Sequence, residues 1–439
     1  MTMKFFYADS LDLVDPEFDF VAEKSRNPKR VPQRDDVYAH ELMKVERPYD
    51  GLLVSKALFR VGGGSVATGK YSQAQRKRFE REGAPRFLRF PKGGRGDPDQ
   101  FPILGDCGAF AYRNEQEPPF DVDELIDFYE DGRFSMGISL DHVVLAYDPA
   151  LDREDPKQSS LPGVASKHEA VRTEAMRRQE LSLANADEFR RKSLARRVGF
   201  VPIGAAHGWS PESYRHSVRE LVRMGYDYIA LGGLVPRKSR EIDEILRAVR
   251  TESLGHARLH LLGVVRSELF GLMRDSDVAS FDSSSPVWQA FKDARDNYYS
   301  SDTEGHYTAV RIPQVDKGLP LRRIREGRIH QADAIAAEAG ALAALRDYGA
   351  RELALDDLLA ALRRYDELLG DGRKTQTPWE RMERTLRDRP WEKCDCPICK
   401  EIGVEVILFR GANRNRRRGF HNLWWTQRVL ENWREENEA

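Results

Sequence analysis

The stretch "VGFVPIGAAHGWSPESYRHSVRELVRMGYDYIALGGL" (Val198–Leu234) decides the fold. A short apolar run ends in a Gly-His cluster, a helical stretch follows, and a second apolar run ends in paired glycines. Apolar runs of four to eight residues that alternate with helices read as βα units feeding a parallel sheet. The pattern extends to both sides. "GLLVSKALF" (from Gly51), "FPILGDCGAF" (from Phe101), "GISLDHVVLAY" (from Gly137), "LHLLGVV" (from Leu259) and "DVASFDSSS" (from Asp277) bring the runs to seven. Seven successive units favour a TIM (β/α)8 barrel, an α/β fold, over an open sheet. That fold places chemistry where strands end and loops begin.

The 439 residues suffice for a large barrel with additions. The chain divides into an N-terminal extension (1–48), the catalytic barrel (49–300), a mainly helical insertion (301–390), and a zinc-binding segment with a closing helix (391–439). Ala and Leu at helical spacing in "QADAIAAEAGALAALRDYG" mark the insertion. "VEVILF" (Val404–Phe409) is the expected eighth strand. No run of ~18 apolar residues exists, and the acidic, aromatic N-terminus lacks a signal-peptide segment, so a cytoplasmic location is expected.

Three of the four cysteines fall within "KCDCPICK" (Lys393–Lys400). In a reducing compartment, clustered thiols point to metal rather than disulfides. Cys394, Cys396 and Cys399 supply three ligands, and His421, the nearest histidine downstream, supplies the fourth. Four protein ligands leave no position for water, so the expected zinc is structural.

Formal net charge is −1, with basic stretches inside it. "RGANRNRRRGFH" (Arg410–His421) carries five arginines and no acid. Such a stripe can bind phosphates whatever the net charge, and Arg414, Arg416, Arg417 and Arg418 are the candidate nucleic-acid contacts. "GSVATGKY" (Gly64–Tyr71) nearly matches a nucleotide-triphosphate loop. Tyr71 stands where the magnesium-binding Ser/Thr belongs, which argues against that function. The Gly64–Lys70 loop could instead hold a backbone phosphate.

Asp106, Asp141 and Asp282 each end an expected strand. One such aspartate is ordinarily a helix cap. Three suggest a site in which one carboxylate attacks an anomeric carbon and another moves protons. Gly232 and Gly233 let a ligand approach backbone N–H groups, and His207 ends another strand.

Together these motifs resemble the tRNA-guanine transglycosylase superfamily, zinc-containing TIM barrels that exchange guanine in nucleic acid for a 7-deazaguanine. "ILGDCGAF", "ALGGL", "FD" (Phe281-Asp282) and "CDCPIC…HN" are similar to its signatures. The opening "KFFYADSLDLVDPEFDF" and the "HNLWWTQRVL" ending look most like the DpdA branch, which is associated with DNA. The resemblance implies Asp282 as nucleophile at C1′ and Asp106 as general base. It implies that Asp141 and the Gly233 N–H bind the base edge, that Phe110 stacks on it, and that Leu234 and Leu262 line the pocket around its 7-substituent. His207-Gly208 stands where the family commonly has Gln-Gly, and "SSSP" follows the nucleophile in place of "MPTRNAR". The implied function is exchange of a flipped guanine in DNA for 7-cyano-7-deazaguanine, with a partner ATPase of a DNA-modification system as an expected companion. The alternatives are the same chemistry on tRNA, or a non-catalytic partner subunit.

Overall fold

The computed structural model describes residues 2–9, 11–44, 47–60, 69–90, 101–152, 164–292, 295–301, 305–369 and 379–438. Most of the Gly64–Lys70 loop lies outside these residues. The chain forms two compact units. The first comprises Met1–Ser10, Tyr49–Ser284 and Leu430–Ala439; the second comprises Leu11–Pro48 and Ser285–Val429.

The first unit is a closed barrel of eight parallel strands: β1 (Lys4–Ala8), β2 (Gly51–Ser55), β3 (Ile103–Asp106), β4 (Met136–Ile138), β5 (Val201–Ala206), β6 (Tyr228–Leu231), β7 (Arg258–Leu261) and β8 (Val278–Ser283). The seven expected runs supply β2–β8. The eighth strand corrects the sequence reading: it is Lys4–Ala8, from the expected N-terminal extension, and not Val404–Phe409. β1 pairs with β8 (Phe6 opposite Asp282) and with β2 (Phe6 opposite Gly51), which leaves no edge for another strand. Gly403–Ile407 instead forms a 3-10 turn. Leu408–Phe409 pairs with Val310–Arg311 in the second unit.

Phe6, Leu53, Leu104, Ile138, Ile203, Ala205, Tyr228 and Ala230 fill the barrel interior, as closely packed layers of inward side chains require. Tyr129, on the helix Val122–Asp131, packs against β3 and β4 from outside. A Cβ on Gly105 would lie 2.2 Å from its ring and one on Gly137 2.4 Å, so glycine is what lets the ring seat there. The helix Pro211–Arg223 starts where Ser210 Oγ accepts from the Ser213 amide (3.0 Å), with proline at its first position. Arg434 pairs with Asp50, just before β2 (2.6 Å), and Trp433 meets Phe270 edge-on.

The second unit is mainly helical. It includes Gln331–Gly349, Leu355–Leu368 and Trp379–Asp388, the short helix Pro397–Ile402, and most of the long helix Gly411–Glu438. The expected insertion and the cysteine segment therefore belong to one unit, together with residues 11–48. No helix among the described residues is long and apolar enough to cross a membrane.

Candidate active site

The C-terminal ends of β3, β5, β6, β7 and β8, with the loop after β4, converge at the barrel mouth. Asp106 ends β3. Its Oδ2 accepts from Ser55 Oγ (2.9 Å) and from the Gly108 amide (3.0 Å). Enclosure by the barrel wall, followed by the negative charge of Asp141, pushes its pKa up to about 7; the Ser55 and Gly108 hydrogen bonds only partly oppose this, and Asp282 adds to the rise. A carboxyl group held there can give and take a proton near neutral pH.

Asp141 is buried in the loop after β4, and both of its oxygens are engaged. Oδ1 lies 2.6 Å from Cys107 Sγ and Oδ2 lies 2.5 Å from His207 Nε2. Tyr112 donates to Cys107 Sγ and to the Asp141 carbonyl, both at 2.9 Å. Burial, then the neighbouring charges, raises the Cys107 thiol far above its ordinary range, so Cys107 stays a protonated donor. The result is a fixed chain, Tyr112–Cys107–Asp141–His207.

His207 is buried at the end of β5, and among the described residues its Nδ1 has no hydrogen-bond partner. Its ring lies against Gly232, where a Cβ would fall 2.2 Å from Cε1. The Gly232 amide is already bonded to the Ala206 carbonyl (2.9 Å), and the Gly232 carbonyl accepts from Tyr214 (2.6 Å). The paired glycines thus form a pinned loop. Gly233, at φ +76°, adopts a backbone conformation that favours glycine. Leu234 is fully buried beneath this loop. Leu262 packs on the barrel core just after β7. Phe110 is 57% exposed, with the Arg113 guanidinium 4.4 Å from its ring.

Asp282, on β8, is 5% exposed. Its Oδ1 accepts from the Gly263 amide (2.9 Å) and faces His260 Nε2 (3.2 Å). Gly263 has φ +76°, and a Cβ there would lie 2.4 Å from Val235. His260, Ser280, Tyr228, Cys107 and Tyr112 were not singled out from sequence. They lie within or beside strands, and only the pairing of neighbouring strands reveals what they touch.

The four expected metal ligands converge in the second unit. Cys394, Cys396 and Cys399 Sγ lie 3.5, 3.4 and 3.5 Å from His421 Nδ1. His421 Nε2 donates to the Tyr299 carbonyl (2.9 Å), which leaves Nδ1 bare toward the sulfurs, and Tyr298 stacks on the ring. The cluster could hold a metal ion.

The expected nucleic-acid arginines require correction. Arg414, Arg417 and Arg418 are buried. Arg414 pairs with Glu405 (2.6 Å) and Glu23 (2.7 Å), and Arg417 with Glu401 (3.0 Å). Arg418 bonds the carbonyls of Val406 (3.1 Å) and Ala290 (2.5 Å). Arg416 is about one-third exposed and donates to the Leu13 carbonyl (3.2 Å). Guanidinium groups enclosed in this way hold the unit together and are not available to phosphates. Arg416 alone of the four keeps substantial exposure.

No protein-family model matches the chain. A DNA-guanine transglycosylase from Salmonella montevideo is 44% identical over 422 residues, covering 96% of this chain and 95% of the relative. The chain belongs to the guanine transglycosylases. The transglycosylase is accordingly a glycosyltransferase, and its barrel mouth is the place to look for the exchange chemistry.

Proposed function

We propose that the protein exchanges guanine in DNA for 7-cyano-7-deazaguanine, through a covalent aspartyl intermediate and as part of the DpdA branch. The observation that carries the mechanism is the pair of unlike carboxylates. Asp282 is held by two hydrogen bonds on Oδ1, and Asp106 sits near it with a pKa of about 7. Asp282 Oδ2 attacks C1′ of a flipped guanine nucleotide, and the C1′–N9 bond breaks. The bonding electrons go to the leaving base, which takes a proton from neutral Asp106. The incoming deazaguanine returns a proton to ionised Asp106 and attacks C1′, which releases Asp282.

The remaining residues orient the base. Phe110 stacks on it, and Asp141, His207 and the Gly233 N–H meet its polar edge. Gly232 acts by letting His207 approach, since its own N–H is engaged. Leu234 and Leu262 bound the pocket. The printed name of the Salmonella relative supports DNA as the substrate. A cytoplasmic enzyme acting on duplex DNA needs its target base unpaired, a task suited to a partner ATPase.

The metal is zinc with a structural role. Zn–S bonds of about 2.3 Å and Zn–N bonds of about 2.0–2.1 Å in a tetrahedron give N···S edges of about 3.5 Å. The His421–cysteine distances match that edge. Held by Cys394, Cys396, Cys399 and His421, zinc would cross-link the cysteine turn to the last helix, and no step of the exchange passes through it.

The test supplies isotope-labelled 7-cyano-7-deazaguanine with DNA or tRNA, with and without ATP and partner proteins, and reads digested nucleosides by mass spectrometry. Label in DNA is expected. Label in tRNA alone overturns the DNA reading, and label in neither under any condition favours a non-catalytic subunit.

A further inference from the structure

Behind the Asp282 carboxylate, three polar side chains run into an otherwise apolar barrel core. His260 on β7 is fully buried, as are Ser280 on β8 and Tyr228 on β6. His260 Nδ1 lies 2.6 Å from Ser280 Oγ, and Ser280 Oγ lies 2.5 Å from the Tyr228 hydroxyl. His260 Nε2 faces Asp282 Oδ1 at 3.2 Å. Among the described residues, Ser280 is the one hydrogen-bond partner of the Tyr228 hydroxyl. Burying three such groups costs free energy unless each is satisfied, so the network has a preferred set of proton positions.

That set follows from the chemistry of its ends. A carboxylate only accepts, so the nitrogen facing Asp282 must carry a proton. With the proton on Nε2, neutral imidazole offers a bare Nδ1, which must receive one. Ser280 donates its proton to Nδ1, and its oxygen then accepts from Tyr228. Every donor therefore points toward Asp282: Tyr228 O–H to Ser280, Ser280 O–H to His260 Nδ1, His260 Nε2–H to Asp282. The reverse direction needs an imidazolium and leaves the Tyr228 proton without an acceptor among the described residues. The groups packed against the ring fit this assignment. Asp282 lies ahead of it, Phe6 meets it edge-on at 6.1 Å, and the Arg258 guanidinium lies over the Tyr228 ring at 4.6 Å.

We propose that Tyr228, Ser280 and His260 form a one-way hydrogen-bond chain that locks the His260 tautomer and thereby positions Asp282 for attack. His260 is a positioning residue: it holds Oδ1 so that Oδ2 faces the sugar carbon. The proposal rests on Asp282 being the nucleophile. It adds that a hydroxyl two residues before it on the same strand, with no contact to substrate, controls how well it attacks.

Two measurements test it. The first is 15N NMR of the folded protein, which reads the His260 tautomer without any activity. The expected signature is a protonated Nε2 and a bare Nδ1. A proton on Nδ1 with a bare Nε2 overturns the proposal. The second is single-turnover base release by Ser280→Ala, a change of one oxygen that leaves the core volume nearly intact. Without the serine proton, Nε2 is no longer obliged to hold its own. The rate of guanine release falls by about tenfold near neutral pH, with KM for nucleic acid unchanged. Tyr228→Phe gives a smaller loss of the same kind, and His260→Gln, which keeps an N–H toward Asp282, retains more activity than His260→Leu. Equal rates for Ser280→Ala and the unaltered enzyme, or equal rates for His260→Gln and His260→Leu, overturn the proposal. Asp282→Asn separates the two readings. If that variant stays active, the nucleophile assignment has failed. If it is inactive while Ser280→Ala is unaffected, the chain alone has failed.

Discussion

The barrel mouth and the arginine network of the second unit both enclose charged side chains, and they treat them in opposite ways. In the second unit each buried guanidinium finds carboxylates or carbonyls: Arg410 meets Glu23 and Glu338, and Arg414 meets Glu23 and Glu405. At the mouth, Asp106, Asp141 and Asp282 face one another, and the hydrogen bonds they accept come from Ser55, Cys107, His207, His260 and backbone amides. Compensated charge yields architecture. Burial first, and the like charge of Asp141 second, yield a carboxyl group that titrates near neutrality and is available for proton transfer.

The largest effect is expected at the cysteine–histidine cluster of the compensated unit, which could hold a metal ion. Cys396→Ser removes one sulfur from its three cysteines and one histidine. Structural zinc sites contribute roughly 10 kcal/mol or more to folding, so metal content and the cooperative melting of this unit are expected to fall together. Elemental analysis and circular dichroism check it, and a soluble, folded, metal-free variant would contradict the clamp.

Arg414→Ala takes one of two guanidinium partners from Glu23, which keeps Arg410, and one of two from Glu405, which keeps Arg346. A loss of about 3–5 kcal/mol of stability is expected, measured by denaturant unfolding. DNA affinity of the folded fraction, and its salt dependence, should not change. Normal stability with a shallower salt dependence would restore the phosphate-contact reading.

The smallest effect probes the uncompensated side. Asp106 has a folded pKa raised from 3.8 to about 7. The folded state therefore holds its proton more tightly than the unfolded state. The stability this contributes is complete below about pH 4 and is lost as pH rises through about 7. Asp106→Asn, which cannot ionise, should match the unaltered protein near pH 3, where both states hold the proton. At about pH 8 it should exceed it by on the order of 1–3 kcal/mol, while base exchange falls sharply. Equal stability differences at both pH values would show that Asp106 is not raised.

Seven of eight strands were legible because parallel strands, buried on both faces, read as uninterrupted apolar runs. The eighth was not. Lys4–Ala8 closes the barrel by pairing with a strand that begins at Val278, and nothing local in "KFFYA" announces so distant a partner. The cluster of three cysteines and one histidine was legible for the opposite reason, because three of the four lie in one short turn. The arginine run was misread since Glu23, Glu338 and Glu405, which neutralise it, are scattered along the chain. The strand-end aspartates could be placed from sequence, but Cys107 and His260, which hold two of them, needed the register of neighbouring strands.

The central claim is that Asp282 carries the sugar during exchange. The direct measurement is to halt the reaction after base release, digest the protein, and locate the covalent adduct by mass spectrometry. The account predicts one glycosylated peptide, modified at Asp282, and no adduct in Asp282→Ala. An adduct on another residue, or base exchange that persists in Asp282→Ala, would contradict it.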